Sequence, residues 1–180
     1  MTDMADDLLV QVRDLLKPPY AFYGHSLGGR LAGLLARQVV ALELPCPIHL
    51  FVSGCPGPSV VKDRRRHELP RSDFFAMLKG MGCPPEVLAS EEVMALFEPV
   101  LRADLEANDT FRYVPGSPYD IQISAMIGTE EDTTREEALA WQKETTQELA
   151  LSEFPGGHFF IYEHLNEIGS LLSTRLLDYF

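Results

Sequence analysis

The stretch that most limits the fold is residues 23–39, where a serine lies between glycines at the start of a helical pattern. Gly24 and Gly28 flank Ser26 at a distance of two residues, and glycine permits a sharp turn in which a side chain would clash. The preceding run PYAFY is apolar and aromatic, as in a buried strand, and leucines recur afterwards at helical spacing. The pattern predicts a strand, a tight turn and a helix, with the Ser26 hydroxyl exposed at the turn. The alternative is that Ser26 is only an N-cap of a glycine-rich helix start.

Strands and helices alternate along the rest of the chain, a pattern typical of a parallel α/β sheet with right-handed crossovers. Further strands are predicted at 48–54, 120–128 and 148–154, and helices at 4–16, 134–146 and 165–179. In the last helix, the residues predicted to face inward are Leu171, Leu172, Leu176 and Leu177. We predict one domain, residues 1–180, with an inserted helical cap at about 56–118, whose helical patterns lie at 73–80, 85–88 and 91–111.

Three residues with catalytic side chains follow three of the predicted strands. Ser26 follows the first strand, Asp132 lies in the segment GTEEDTT, and His158 lies in the segment FPGGHFF. The carboxyl ends of parallel strands meet at one edge of a sheet, so these side chains are expected to converge. Imidazole can accept a serine proton near neutral pH, and a carboxylate can fix the imidazole tautomer. We therefore predict Ser26 as the nucleophile, His158 as the base and Asp132 as the acid.

Neighbouring residues leave alternatives at two of these positions. Glu130 and Glu131 directly precede Asp132, and a shift of one residue in the loop would make Glu131 the partner of the histidine. His164 is an alternative base, although at the start of the last helix it is expected to face solvent or to cap that helix. The backbone N–H of Leu27 is predicted to donate to the oxyanion, because it lies at a helix start.

Composition narrows the possible classes of function. The 180 residues include 15 basic and 27 acidic residues, and the formal net charge of −12 repels nucleic acids and anionic membranes. The N-terminus is acidic where a secretory signal would be basic, and the three cysteines form no CxxC pair. We expect a cytoplasmic enzyme with no metal or other cofactor and with no nucleic-acid or membrane partner.

The chain contains the segments PYAFYGHSLGG, IHLFVSG, GCPPEVL, FEPVLRADLEANDTFRY, GTEED and FPGGHFF. Together these segments resemble the type II thioesterases that accompany polyketide and nonribosomal peptide synthetases. The medium-chain thioesterase of animal fatty acid synthase is similar as well. The resemblance implies an α/β-hydrolase fold and a Ser26, His158 and Asp132 triad. The implied substrate is the phosphopantetheine thioester of an acyl or peptidyl carrier protein, from which the acyl group is removed for editing or product release.

Two hypotheses compete with the thioesterase. One is a small-molecule carboxylesterase with the same triad, and the other is an inactive hydrolase-like module that binds a carrier protein or a partner chain. The second follows from a departure from the family, whose members begin with further strands and a loop that supplies the second oxyanion donor. We predict no strand before Pro19, so the strand before Ser26 is expected at a sheet edge. Either another chain or fragment covers this edge strand, or the sequence is a truncated product. GTEEDTT also has one extra residue relative to the family, which keeps Glu131 as an alternative acid.

Contacts with substrate and partner are predicted at two further groups of residues. Apolar cap side chains could line an acyl channel or simply pack the cap onto the sheet. The candidates for substrate contact are His25, Met77, Met81, Phe97 and Phe159. Six of the basic residues lie between Lys62 and Lys79, and we predict that Arg64, Arg65 and Arg66 dock the acidic carrier or the pantetheine phosphate. A solvated basic loop is the alternative.

Overall fold

A computed structural model describes residues 1–177 and 179, and its central element is a sheet of four parallel strands. Their order in the sheet is β1 (Ala21–His25), β2 (His49–Ser53), β3 (Gln122–Gly128) and β4 (Ala150–Phe154). The predicted α/β class is confirmed. Among the described strands β1 lies at one edge, as expected for the strand that precedes Ser26.

Helices connect these strands, because parallel neighbours require a crossover. The helices are α1 (Thr2–Val12), α2 (Leu27–Ala41), α3 (Arg71–Gly80), α4 (Pro85–Ala89), α5 (Glu91–Thr110), α6 (Arg135–Leu139), α7 (Phe160–Glu163) and α8 (Leu165–Leu177). The helix predicted at 134–146 is α6 followed by a short 3-10 helix, Ala140–Glu144. None of the helices in the described part of the chain is both long and apolar enough to cross a bilayer.

Apolar side chains cover both faces of the sheet. Leu50 and Val52 pack with Trp141 on one face, whereas Phe51 packs with Phe160 on the other. This alternation follows from the two-residue period of a strand, and both faces of β2 are buried. In α8, three of the four leucines predicted to face inward pack against the Phe51 cluster, but Leu177 is exposed, since it is the last residue of the helix.

The chain divides into two compact units, Val61–Arg112 and the remainder of the chain, Met1–Val60 with Tyr113–Phe180. The smaller unit contains α3, α4 and α5 and has a core of its own around Phe74, Leu78 and Met94. The predicted cap at 56–118 therefore extends beyond this unit at both ends.

The register brings the polar ends of the strands together. His25 pairs with Ser53, and Ser53 pairs with Met126, so the ends of β1, β2 and β3 lie side by side. Gly128 pairs with Phe154 at the ends of β3 and β4. The loops that leave these positions build the site.

Candidate active site

Ser26 lies in a strained turn between β1 and α2. Its φ of 55° and ψ of −121° are unusual for a residue with a side chain. The Ser26 N–H donates to the Ser53 carbonyl at 2.7 Å, which ties the turn to the neighbouring strand. The Ser26 side chain makes no capping hydrogen bond to α2, so the N-cap alternative is wrong.

The glycines around this turn differ in their roles. A Cβ at Gly24 would lie 2.1 Å from the Gly28 carbonyl oxygen, as the predicted close approach requires. At Gly28 itself, a Cβ would meet nothing within 4 Å in the described part of the chain, so the expected crowding there was wrong. The next residue, Gly29, is crowded, since its Cβ would lie 2.5 Å from Cys55 Sγ, just beyond the end of β2.

His158 reaches Ser26 from the loop after β4. Its Nε2 lies 3.0 Å from Ser26 Oγ. The loop bends back at Gly156, where φ is +108°. A Cβ at Gly128 would lie 2.5 Å from the Gly157 carbonyl oxygen, so glycine lets the ends of two strands approach backbone to backbone.

The carboxylate against His158 belongs to Glu131, which corrects the preference for Asp132. Glu131 Oε2 lies 3.1 Å from His158 Nδ1, and Glu131 Oε1 accepts the Gly128 N–H at 2.8 Å. The Glu131 side chain is 1% exposed, whereas Asp132 is an exposed residue. The turn after β3 directs Glu131 inward rather than Asp132. This is the alternative that was predicted for a shift of one residue in the loop.

The three side chains form a continuous relay. A carboxylate accepts but does not donate, so the proton between Glu131 and His158 lies on Nδ1, and Nε2 can accept the Ser26 hydroxyl proton. Leu27 is the first residue of α2, so its N–H has no acceptor within the helix and is available for an oxyanion. This arrangement is suited to acyl transfer. In the described part of the chain, no three His, Cys, Asp or Glu residues form a group that could hold a metal ion.

His25, a candidate for substrate contact, lies beside the base. Its ring centroid is 4.9 Å from that of His158, and its Nδ1 lies 3.0 Å from Ser53 Oγ. Burial, and secondarily the charge of His158, lowers the pKa of His25 from 6.5 to about 4. Ser53 is not among the site residues predicted from the sequence. A polar residue at the end of the apolar run IHLFVSG was the available signal.

Phe159 contacts the base, whereas His164 lies at the start of α8. The Phe159 ring lies 5.2 Å from the His158 ring, and Tyr162 stacks on Phe159 at 5.9 Å. His164 Nδ1 lies 2.6 Å from Glu167 Oε2, and its Nε2 lies 3.1 Å from the Pro155 carbonyl oxygen. The hydrogen bond to Glu167 raises the pKa of His164. The His164 ring therefore ties the first turn of α8 to the loop after β4, and the histidine at Ser26 is His158.

The predicted substrate residues of the smaller unit divide by exposure. Met77 packs against the Phe74 cluster inside the smaller unit, and Met81 is half-buried. Phe97 is 50% exposed on α5, close in sequence to the exposed Leu96. Phe97 is thus the residue of this group that stays available for contact.

The basic segment of the smaller unit is engaged in part by internal ion pairs. Arg66 Nη2 lies 2.5 Å from Asp109 Oδ1, and the Asp109 side chain is 3% exposed. Arg66 is therefore a structural residue, which corrects its assignment to carrier docking. Arg65 is exposed and pairs with Glu68 at 3.2 Å, and Arg64 also has an interaction partner.

Comparison with known proteins identifies a family. Residues 1–176 match the family model of the thioesterase domain. Gramicidin S biosynthesis protein GrsT of Aneurinibacillus migulanus is 32% identical over 92% of this chain and 66% of its own length. Thioesterase PikA5 of Streptomyces venezuelae is 31% identical over 87% of this chain and 57% of its own length. This chain spans about half to two thirds of the length of such curated relatives.

Solved structures share the same architecture. The type II thioesterase BorB from the borrelidin biosynthetic cluster superposes with a TM-score of 0.87 at 31% identity. The match covers 97% of this chain and 72% of the BorB chain. RedJ, the thioesterase from the prodiginine pathway of Streptomyces coelicolor, superposes with a TM-score of 0.91 at 28% identity. That match covers 97% of this chain and 71% of the RedJ chain.

Proposed function

Since this chain belongs to the thioesterase family, we propose that it acts as a type II thioesterase on carrier-bound acyl groups. The observation that carries the proposal is the relay from Ser26 Oγ through His158 to Glu131, with both hydrogen-bond distances near 3 Å. Relatives whose names refer to gramicidin S biosynthesis and to the borrelidin cluster support a role beside a synthase. The proposed substrate is an acyl or peptidyl group on the phosphopantetheine thiol of a carrier protein.

In the first half of the proposed reaction, Ser26 Oγ attacks the thioester carbonyl carbon while His158 Nε2 takes the hydroxyl proton. The carbonyl oxygen becomes an oxyanion, to which the Leu27 N–H donates. Collapse of this intermediate breaks the carbon–sulfur bond. His158 Nε2 then returns the proton to the thiolate, which leaves the acyl group on Ser26 as an ester and releases the pantetheine thiol.

In the second half, a water molecule replaces the thiol. His158 Nε2 takes a proton from the water as its oxygen attacks the ester carbonyl. Collapse of the second intermediate breaks the bond to Ser26 Oγ, which regains a proton from His158, and a carboxylic acid leaves. Glu131 keeps the imidazole in one tautomer and stabilises its cationic form throughout. The proposed cycle requires no cofactor beyond the phosphopantetheine of the substrate.

The cytoplasmic location and the docking surface are part of this proposal. Three free thiols, at Cys46, Cys55 and Cys83, suit a reducing compartment. For docking we retain Arg64 and Arg65. The test is Arg65→Ser, for which we expect a higher KM for acyl-carrier thioesters and an unchanged KM for acyl-N-acetylcysteamine, which lacks the carrier. Equal effects on both substrates would remove the docking role.

The function is tested with the wild-type chain and Ser26→Ala side by side. We expect a fluorophosphonate probe to label the wild type and not the variant. We also expect acyl-carrier thioesters to be hydrolysed with a higher kcat/KM than p-nitrophenyl esters. A preference for p-nitrophenyl esters would indicate a carboxylesterase. Carrier binding without labelling of Ser26 would indicate an inactive module.

A further inference from the structure

His25 contacts the catalytic base but has no role in the relay described above. We propose that His25 is a positioning residue, whose ring forms the wall that holds the His158 imidazole towards both Ser26 and Glu131. The two rings lie with centroids 4.9 Å apart and planes tilted by 45°. This inference rests on the proposed function, in which His158 moves the proton.

His25 is itself fixed from several sides. Its Nδ1 lies 3.0 Å from Ser53 Oγ, and Ser53 is fully buried. The same Ser53 accepts the Ser26 N–H through its carbonyl oxygen, so one residue of β2 supports both the nucleophile turn and the wall. Gly54 lies directly against the ring, since a Cβ at this position would be 2.6 Å from His25 Cε1. Phe160 packs edge-on at 5.9 Å.

The chemistry of the ring suits this role. Because its pKa is lowered to about 4, His25 is neutral at neutral pH and does not repel His158 when that ring becomes cationic. His25 Nε2 is buried and, among the described residues, has no hydrogen-bond partner. The neutral ring therefore packs against the base at a tilt of 45° and brings no competing charge. Catalysis requires such order, because a displacement of about 1 Å in a reacting group can cost about 100-fold in rate.

Ser53 allows the wall to be loosened without changing either histidine. Ser53→Ala keeps the backbone carbonyl that binds Ser26 but removes the hydroxyl that binds His25. The chain also offers a matched control, because His49 Nε2 lies 2.9 Å from Ser124 Oγ in another buried histidine–serine pair. Ser124→Ala removes the same kind of hydrogen bond from the same sheet, away from Ser26.

The experiment compares His25→Ala, His25→Phe, Ser53→Ala and Ser124→Ala. The main readout is the second-order rate constant for labelling of Ser26 by a fluorophosphonate. This reaction needs no thioester, and it is measured at a temperature well below the unfolding midpoint of each variant. We expect His25→Ala to lower this rate and kcat by about 10- to 100-fold with little change in KM. His25→Phe restores a ring and should recover most of the loss. Ser53→Ala should label more slowly than Ser124→Ala, which should match the wild type.

Other outcomes would overturn the inference. His25→Ala that labels at the wild-type rate would show that the wall is not needed. His25→Phe no better than His25→Ala would show that the ring does not act as a wall. A raised KM with unchanged labelling would make His25 a substrate contact instead. If the wild type itself is not labelled, the proposed function is wrong. This outcome differs from failure of the His25 inference, in which the wild type is labelled and only the comparison among variants disagrees.

Discussion

Glu131 Oε2 lies 3.1 Å from His158 Nδ1, and the Glu131 side chain is almost completely buried. The second oxygen of that carboxylate accepts the Gly128 N–H at the end of β3. One side chain therefore holds the histidine and is itself held by the sheet. Burial of this acid excludes water from its hydrogen bond to the base, which favours a single orientation of the imidazole.

The acid position is tested by Glu131→Gln against Asp132→Asn. A glutamine can offer an N–H to Nδ1 and favour the wrong tautomer, so we expect Glu131→Gln to lower kcat by about 1,000- to 10,000-fold. Asp132→Asn should lose far less, because its exposed side chain is not the one that reaches His158 Nδ1. Steady-state hydrolysis of an acyl thioester at pH 7 measures both. The reverse order would restore the original preference for Asp132.

Alanine substitutions at the two glycines that flank Ser26 are expected to have different effects on the free energy of unfolding. Gly24→Ala should destabilise the fold by about 3 kcal/mol, since its Cβ would meet backbone rather than a movable side chain. Gly28→Ala should be as stable as the wild type or slightly more so, because alanine is the better helix former and its methyl group has space. Urea unfolding of both variants measures the difference. A Gly28→Ala variant as unstable as Gly24→Ala would contradict the geometry.

Arg66 should matter for stability and Arg65 should not. Arg66→Ala leaves the buried carboxylate of Asp109 unpaired, which is expected to cost about 3–5 kcal/mol. Arg65→Ala removes an exposed ion pair with Glu68, which is expected to cost about 0–1 kcal/mol. Urea unfolding, with limited proteolysis of residues 61–112, measures both changes. Equal stability of the two variants would show that the Arg66 pair is dispensable.

His49 predicts a dependence of stability on pH. Burial, and secondarily the charge of Arg175, lowers the pKa of His49 from 6.5 to about 4. Between these values the unfolded chain binds a proton that the folded chain does not, so the free energy of unfolding falls as pH falls from about 6.5 to about 4. His49→Gln removes this titration, and its unfolding free energy should change less between pH 7 and pH 5.

His25 contributes to the same dependence of stability on pH. His25 also has its pKa lowered to about 4 and shifts stability in the same direction, so His49→Gln should keep part of the pH dependence. Identical pH dependence in the wild type and the variant would show that folding does not lower the pKa of His49.

The sequence by itself determined the α/β class, the nucleophile turn and the choice of His158. Alternation of short apolar runs with helical patterns specifies parallel strands, and Gly24, two residues before Ser26, is a local requirement of backbone geometry. His158 could be found because catalytic residues of such sheets lie where strands end. Each of these depends on residues close together in the chain or on a general rule of topology.

Only the tertiary structure decided which acid meets the base, which glycines are crowded and which arginine pairs with a buried acid. Glu131 and Asp132 are neighbours of like charge, and the path of one turn after β3 directs Glu131 inward. Gly29 is crowded by Cys55 across two elements, and Arg66 pairs with the buried carboxylate of Asp109 on α5. His25 next to His158 is a contact of the same kind. Such contacts join residues far apart in sequence, and their distances follow from packing that no local pattern encodes.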